Sequence, residues 1–143
     1  MKVAAILQKK TKPLVTITST ISVYDALKIM GEYNIGALMI VENDQLNGII
    51  SERDYARKIV LKGKNSHDTL VKEIMTSELI TITPDTSIEE CMQLMRKHHI
   101  RHLPVLENEK LTGIVSIGDV VSAVIDMQKD TIDHLQNYIR NSG

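Results

Sequence analysis

Residues 15–56 align with residues 80–121 at a constant offset of 65 and without a gap, and fourteen of the 42 pairs are identical. Thr16/Thr81, Ile17/Ile82, Ser22/Ser87, Ile35/Ile100, Leu38/Leu103, Gly48/Gly113, Ser51/Ser116 and Asp54/Asp119 are among them. Many other pairs exchange one apolar residue for another, as Val23/Ile88 and Ile40/Val105 do, which is what two copies packing their faces alike require. Two copies are too few for a solenoid. A unit this small buries too little apolar surface to stand alone, so a tandem duplication sharing one interface is expected.

Each copy reads as β-α-β-β-α. An apolar, β-branched stretch (Val15 to Thr18, Ile80 to Thr83) precedes turn residues, then apolar positions at helical spacing: Val23, Ala26, Leu27 and Met30, or Ile88, Cys91, Met92 and Met95. Ser87 and Glu90 mark the helix start. Two strands follow, Ala37 to Val41 with Leu46 to Ser51 and His102 to Leu106 with Leu111 to Ser116, turning through Asn43-Asp44-Gln45 or Asn108-Glu109-Lys110. A second helix runs from Glu52 to about Leu61, and from Ile117 to about Lys129. The boundaries expected are 1–63 for an N-terminal segment and first repeat (core 15–61), 64–79 for a linker and lead-in, 80–129 for the second repeat and 130–143 for a helical extension. Ile132, Leu135 and Ile139 give that extension an apolar stripe, expected to pack on the core or on a second subunit.

Composition narrows the function. The 143 residues include no Phe or Trp and only four Tyr, which removes the aromatic platforms that stack single-stranded nucleic acid. A net charge of −1 from 17 basic and 18 acidic residues gives no field to steer the chain to nucleic acid or an anionic bilayer. A single cysteine, Cys91, makes neither an internal disulfide nor a structural zinc site, and reads as a core residue in a reducing compartment, by default the cytoplasm. No apolar run reaches the roughly 20 residues that span a bilayer, and the start of the chain does not read as a signal peptide. His98 and His99 end a helix and His102 opens a strand, so they lack metal-ligand spacing and no metal is expected. Neither G-x-S-x-G nor a Walker loop is present, and Ser51 and Ser116 have no adjacent base, so no catalytic activity is expected.

One element occurs twice at the strand-to-helix junction: Gly48-Ile-Ile-Ser51-Glu-Arg-Asp54 and Gly113-Ile-Val-Ser116-Ile-Gly-Asp119. Ser-x-x-Asp there is an ordinary capping arrangement. On the pattern alone capping is the more common role, but such a junction is also a place where backbone N–H groups favour phosphate and a carboxylate accepts from a ribose diol. The G-x-x-S-x-x-D pair, with Val71-Lys-Glu-Ile-Met75-Thr76 and Ile100-Arg101-His102-Leu-Pro104-Val105, resembles the cystathionine-beta-synthase (CBS) domain family, as a tandem pair over essentially the whole chain. That resemblance implies an α+β fold of two pseudo-twofold-related β-α-β-β-α units forming one module. It also implies two composite clefts that take AMP, ADP, ATP, NAD(H) or S-adenosylmethionine as a regulatory ligand, without a catalytic cofactor.

Composite clefts of this kind would combine Ser51, Arg53 and Asp54 with Met75, Thr76, Ile80, Ile100, Arg101, His102 and Pro104 in one. The other would combine Ser116 and Asp119 with Val15, Ile35, Gly36 and Ala37, drawing on Lys9 or Lys10. Only the first holds two arginines, so the tighter site for a phosphorylated ligand is expected there. The resemblance further implies a homodimer formed through the second helices, at positions such as Tyr55 and Ile59 or Val120, Val121 and Val124, and a protein effector that reads the ligand state. The alternative from another class is a ligand-free interaction protein assembling through amphipathic helices.

Overall fold

The computed structural model describes residues 1–142. Helix α1 (Val3–Lys9) leads into the two-residue strand β1 (Thr16–Ile17) and then α2 (Val23–Tyr33). Strands β2 (Ala37–Glu42) and β3 (Gln45–Ser51) form a hairpin, followed by α3 (Glu52–Tyr55), whose axis continues as a π-helical turn over Ala56–Val60. A short α4 (Val71–Ile74) opens the second repeat, with α5 (Ile88–His98), the hairpin β4 (His102–Glu107) and β5 (Lys110–Ser116), and α6 (Ile117–Ser142) after it. No helix among the described residues is long and apolar enough to cross a membrane.

The two hairpins share one register: Ala37 faces Ser51 and His102 faces Ser116, each with an irregularity one pair past the centre, at Ile40/Val41 and Val105/Leu106. Both turn through two residues of positive φ, Asn43-Asp44 and Asn108-Glu109, the mirror-image turn whose twist matches the flanking strands. Gln45 and Lys110, expected in the turns, are already in strand. β1 pairs parallel to β2, whereas its counterpart in the second repeat is reduced to a single bridge, Ile82 to Val105. Ser22 and Ser87 cap α2 and α5 by accepting from the N–H groups of Asp25 and Glu90.

Two apolar cores result, and each borrows from the other end of the chain. Val71 and Ile74 of α4 are buried with Ile17, Val23, Leu38, Ile40 and Ile50 of the first repeat. Val3 and Ile6 of α1 are buried with Ile82, Ile88, Leu103, Val105 and Val115 of the second. The segments that precede the repeats are therefore exchanged. Backbone hydrogen bonds fix the exchange: Val3 N–H donates to Thr86 O (2.9 Å), Val71 N–H to Ile21 O (2.9 Å), and Ile49 and Thr76 pair reciprocally at 3.0 and 2.9 Å.

Glycine is required where the exchanged segments cross the hairpins. A methyl group at Gly48 would lie 2.9 Å from Met75 Sδ and 3.0 Å from Thr76 O; one at Gly113 would lie 2.7 Å from a Leu7 methyl carbon. Mid-strand glycine commonly marks such a close approach.

One expectation changes. The helix opening at Ile117 does not stop near Lys129 but runs unbroken to Ser142, and its last turns do not fold back on the core: Ile132, Leu135 and Ile139 are 53%, 57% and 67% exposed. Nothing between Asp119 and Ser142 is Gly or Pro, so no local signal ends the helix.

The crossing geometry predicts unequal costs. Gly48→Ala meets a backbone carbonyl that cannot be moved aside and should destabilise by about 1–3 kcal/mol, as overpacking does. Gly113→Ala meets only a leucine tip and should cost less, and in urea denaturation Leu7→Ala should offset part of it. Additive effects of Leu7→Ala and Gly113→Ala would refute the crossing.

Candidate functional site

Both Ser-x-x-Asp elements close the first turn of the helix that follows them. Ser51 N–H donates to Asp54 Oδ2 (2.9 Å) and Asp54 N–H to Ser51 Oγ (3.2 Å); Ser116 and Asp119 repeat the arrangement at 2.8 and 3.2 Å. Capping is thus common to both. What differs is the second engagement of each carboxylate. Asp54 Oδ1 is taken by Lys58 Nζ (3.1 Å) from one turn along the same helix and by Thr76 Oγ1 (3.5 Å). Asp119 receives Lys10 Nζ at 2.9 Å on Oδ2, the oxygen that already accepts from Ser116, and its Oδ1 has no protein partner among the described residues.

Asp119 lines a cavity of about 460 Å³ between the repeats. All seven residues expected in the second cleft meet there: Lys9, Val15, Ile35, Gly36, Ala37, Ser116 and Asp119. Lys10 and Lys12 add positive charge at its edge, while Met39, Ile114 and Ala123 add aliphatic wall. Lys10 also donates to Ile114 O (2.8 Å), which ties the end of α1 to β5. Ser122 and Asp126, three and seven residues beyond Asp119, complete the helical face on the cavity, a spacing the sequence already displayed. Lys9 reaches Asp126 at 3.7 Å, an exposed pair of little energetic weight.

Of the residues expected in the first cleft, the structure moves His102. It lines the Asp119 cavity, as the cross-strand partner of Ser116 and beside Gly36. Arg53, Ile100 and Arg101 line a separate cavity of about 400 Å³ with Met92, Arg96, His99, Ile117 and Val121, and Ser51, Asp54, Met75, Thr76, Ile80 and Pro104 are not among its walls. Arg53 Nη1 donates to His99 O (2.7 Å), the carbonyl at the left-handed end of α5. Lys12 Nζ does the same for Asn34 O (2.7 Å) at the equivalent end of α2. Met75 and Thr76 sit at the β3 crossing, Ile80 packs on the second core, and buried Pro104 accepts from Ile82 N–H at 3.0 Å.

The electrostatics follow from these contacts. Burial pushes the Asp119 carboxyl upward, but the Ser116 N–H and the Lys10 ammonium outweigh it and hold the group below its ordinary range. His102 is lowered, first by burial and then by the neighbouring Lys10 charge, so it stands neutral at neutral pH. Burial raises the Cys91 thiol, which keeps it unreactive in the second core. His98 ends α5 and His99 follows as its left-handed cap; among the described residues, no three His, Cys, Asp or Glu side chains converge as a metal site.

A family model described as "CBS domain" matches the chain twice, over residues 3–61 and 71–126. The CBS domain-containing protein CBSX3, mitochondrial, of Arabidopsis thaliana is 47% identical over 128 residues, covering 86% of this chain; the match spans 62% of that relative's length. A solved structure of a signal-transduction protein with CBS domains from Burkholderia ambifaria superposes with a TM-score of 0.85 at 48% identity, over 88% of this chain and 95% of that one. The CBS domain pair of protein MJ0100, solved with 5′-methylthioadenosine and S-adenosyl-L-methionine, superposes with a TM-score of 0.76 at 32% identity, over 90% and 98% of the two chains. Two matched repeats, one shared hairpin register and two exchanged lead-in segments make the chain a tandem CBS pair, a member of the CBS domain family.

Proposed function

We propose that this CBS pair is a non-catalytic sensor that binds an adenosine-containing ligand in the lysine-edged cavity between its repeats. The observation that carries the reading is the ionised Asp119 carboxylate, which has one oxygen unengaged on a cavity of about 460 Å³. That volume is within the range of small-molecule sites. A ribose diol would donate to Asp119, phosphate would meet Lys9, whose present pairing with Asp126 is long and exposed, and adenine would lie between Val15, Ile35, Ala37 and Met39 in place of aromatic rings. The adenosine ligands bound by the MJ0100 pair support the ligand class.

On this reading the preferred site lies opposite to where an arginine count puts it. Arg53 is committed to the His99 carbonyl and both oxygens of Asp54 are engaged, whereas Gly36 and Ala37 leave the Asp119 side open. Space and an unengaged acceptor outweigh formal charge. Ligand binding then signals to a protein effector only if it favours one relative arrangement of the repeats or subunits over another. The reducing cytoplasm suits the single buried thiol.

Calorimetry with AMP, ATP, NADH and S-adenosylmethionine tests the assignment. At least one should bind, and Asp119→Asn should weaken it about tenfold or more, roughly 1.4 kcal/mol, with Asp54→Asn changing it far less. Failure of all four to bind, or equal losses in both variants, would overturn it.

A pH dependence follows from His102. Its folded value is depressed, so the fold disfavours its protonation, and stability present above the ordinary value near 6.5 falls away as the pH drops below it. A bound anion favours the protonated ring, so binding should take up a proton. For AMP, the affinity ratio of wild type to His102→Gln should rise between pH 7.5 and pH 6; a pH-independent ratio would refute the coupling.

A further inference from the structure

The two exchanged helices are fastened differently at their ends. Lys10 and Met75, the extended residues that close α1 and α4, stand in register at the 65-residue offset, as do Ile114 and Ile49 of the adjoining strands. After α4 the main chain itself is tied down: Thr76 N–H donates to Ile49 O (2.9 Å) and Ile49 N–H to Thr76 O (3.0 Å). After α1 no such bridge forms among the described residues. Ile114 O accepts instead from the Lys10 ammonium (2.8 Å), which at the same time holds Asp119 Oδ2 (2.9 Å). The counter-charge has moved with it, because Asp54 takes its lysine from its own helix, at Lys58, where the second repeat has Ala123. One side chain thus does for α1 what two main-chain bonds and a lysine of the following helix do for α4. Beyond Lys10, Thr11 to Leu14 are exposed and form no main-chain hydrogen bond among the described residues, yet every residue from Lys9 to Val15 lines the Asp119 cavity.

We propose that the C-terminal end of α1 is a latch that reads the Asp119 cavity: an occupant holds it closed, and in the unliganded protein the Lys10 contacts open and uncover Ile6 and Leu7. The proposal rests on the ligand reading above. A ligand touches the strap from Lys9 to Val15 only while α1 is docked, so it binds the closed arrangement more tightly and shifts the balance by that difference. Occupancy and latch do not compete, since Lys10 and Ser116 share Asp119 Oδ2 and leave Oδ1 to the ligand. The start of α1 stays anchored, through Val3 N–H to Thr86 O and Ala4 N–H to Pro84 O (both 2.9 Å). The opened end is apolar, so the unliganded pair is the state that offers a protein effector a new surface, and the loaded pair withdraws it.

Hydrogen exchange of the full chain, read by mass spectrometry, tests the latch, alone and with AMP, ATP, NADH and S-adenosylmethionine each at saturation. Without ligand, Lys10→Met should speed exchange of the Leu7–Lys10 amides about tenfold or more and leave those of Val71–Met75 unchanged, which also reports an intact fold. Lys58→Met should speed neither, because the main-chain bridge holds α4. A compound that binds should slow the Leu7–Lys10 amides about tenfold or more beyond any slowing at Val71–Met75. Unchanged exchange at Leu7–Lys10 in Lys10→Met, or equal slowing of both segments by a bound compound, would overturn the latch while leaving the site. Binding by none of the four would remove the site, and the coupling with it, even where Lys10→Met acts as expected.

Discussion

The structure depends on a crossing. Each lead-in segment passes over the hairpin of the repeat it helps to bury, and at each crossing the strand carries glycine, where a Cβ would press on Thr76 O at one and on the movable Leu7 side chain at the other. Without α4 the first core loses Val71 and Ile74, and without α1 the second loses Val3 and Ile6, all of them almost wholly buried. Two units too small to be stable alone are thereby made into one cooperative body. The cavity is a by-product of the same crossing: α1 ends where its Lys10 reaches Asp119, and the residues after it become one wall.

Duplication supplies two copies of the same polar element, and the chain around them makes the copies unequal. Both aspartates cap a helix in the same way, yet one meets a lysine of its own helix and a threonine, and the other a lysine 109 positions away. The first arrangement consumes both carboxylate oxygens and the second only one. Identical motifs thus carry different chemical capacity, and the difference lies in residues the motif does not contain.

Much of this was legible in the sequence. The 65-residue offset gave the repeat, the alternation and turn residues gave the hairpins, and the two serine–aspartate elements lay where strand meets helix. Seven of the residues on the Asp119 cavity were also legible, through the pairing of one repeat's junction with the other's first strand that the family resemblance implies. The exchange of lead-in helices was not: α1 and α4 are seven and four residues long and fall outside the aligned stretch, leaving Gly48 and Gly113 as the only trace. His102 was misplaced because a linear pattern does not reveal that its ring, across the strand pair from Ser116, lies on the Asp119 side. The committed hydrogen bond of Arg53 was equally invisible, since a motif shows that an arginine is present and not where its guanidinium is held.

The exchange also imposes an order of events on synthesis. The first repeat can close once residues to about Met75 have emerged, because everything in its core lies before that point. The apolar face of α1 emerges first of all and must wait for Val115 and Ala123, more than a hundred residues later, before it is covered. During that interval the nascent chain carries a first repeat that has all of its core residues but is too small to be stable alone, joined to an unsatisfied amphipathic helix. Loop closure over that span is slow relative to local structure, and exposed apolar surface in such an intermediate is where aggregation or chaperone contact begins. The N-terminal helix is thus the first element made and among the last to be buried.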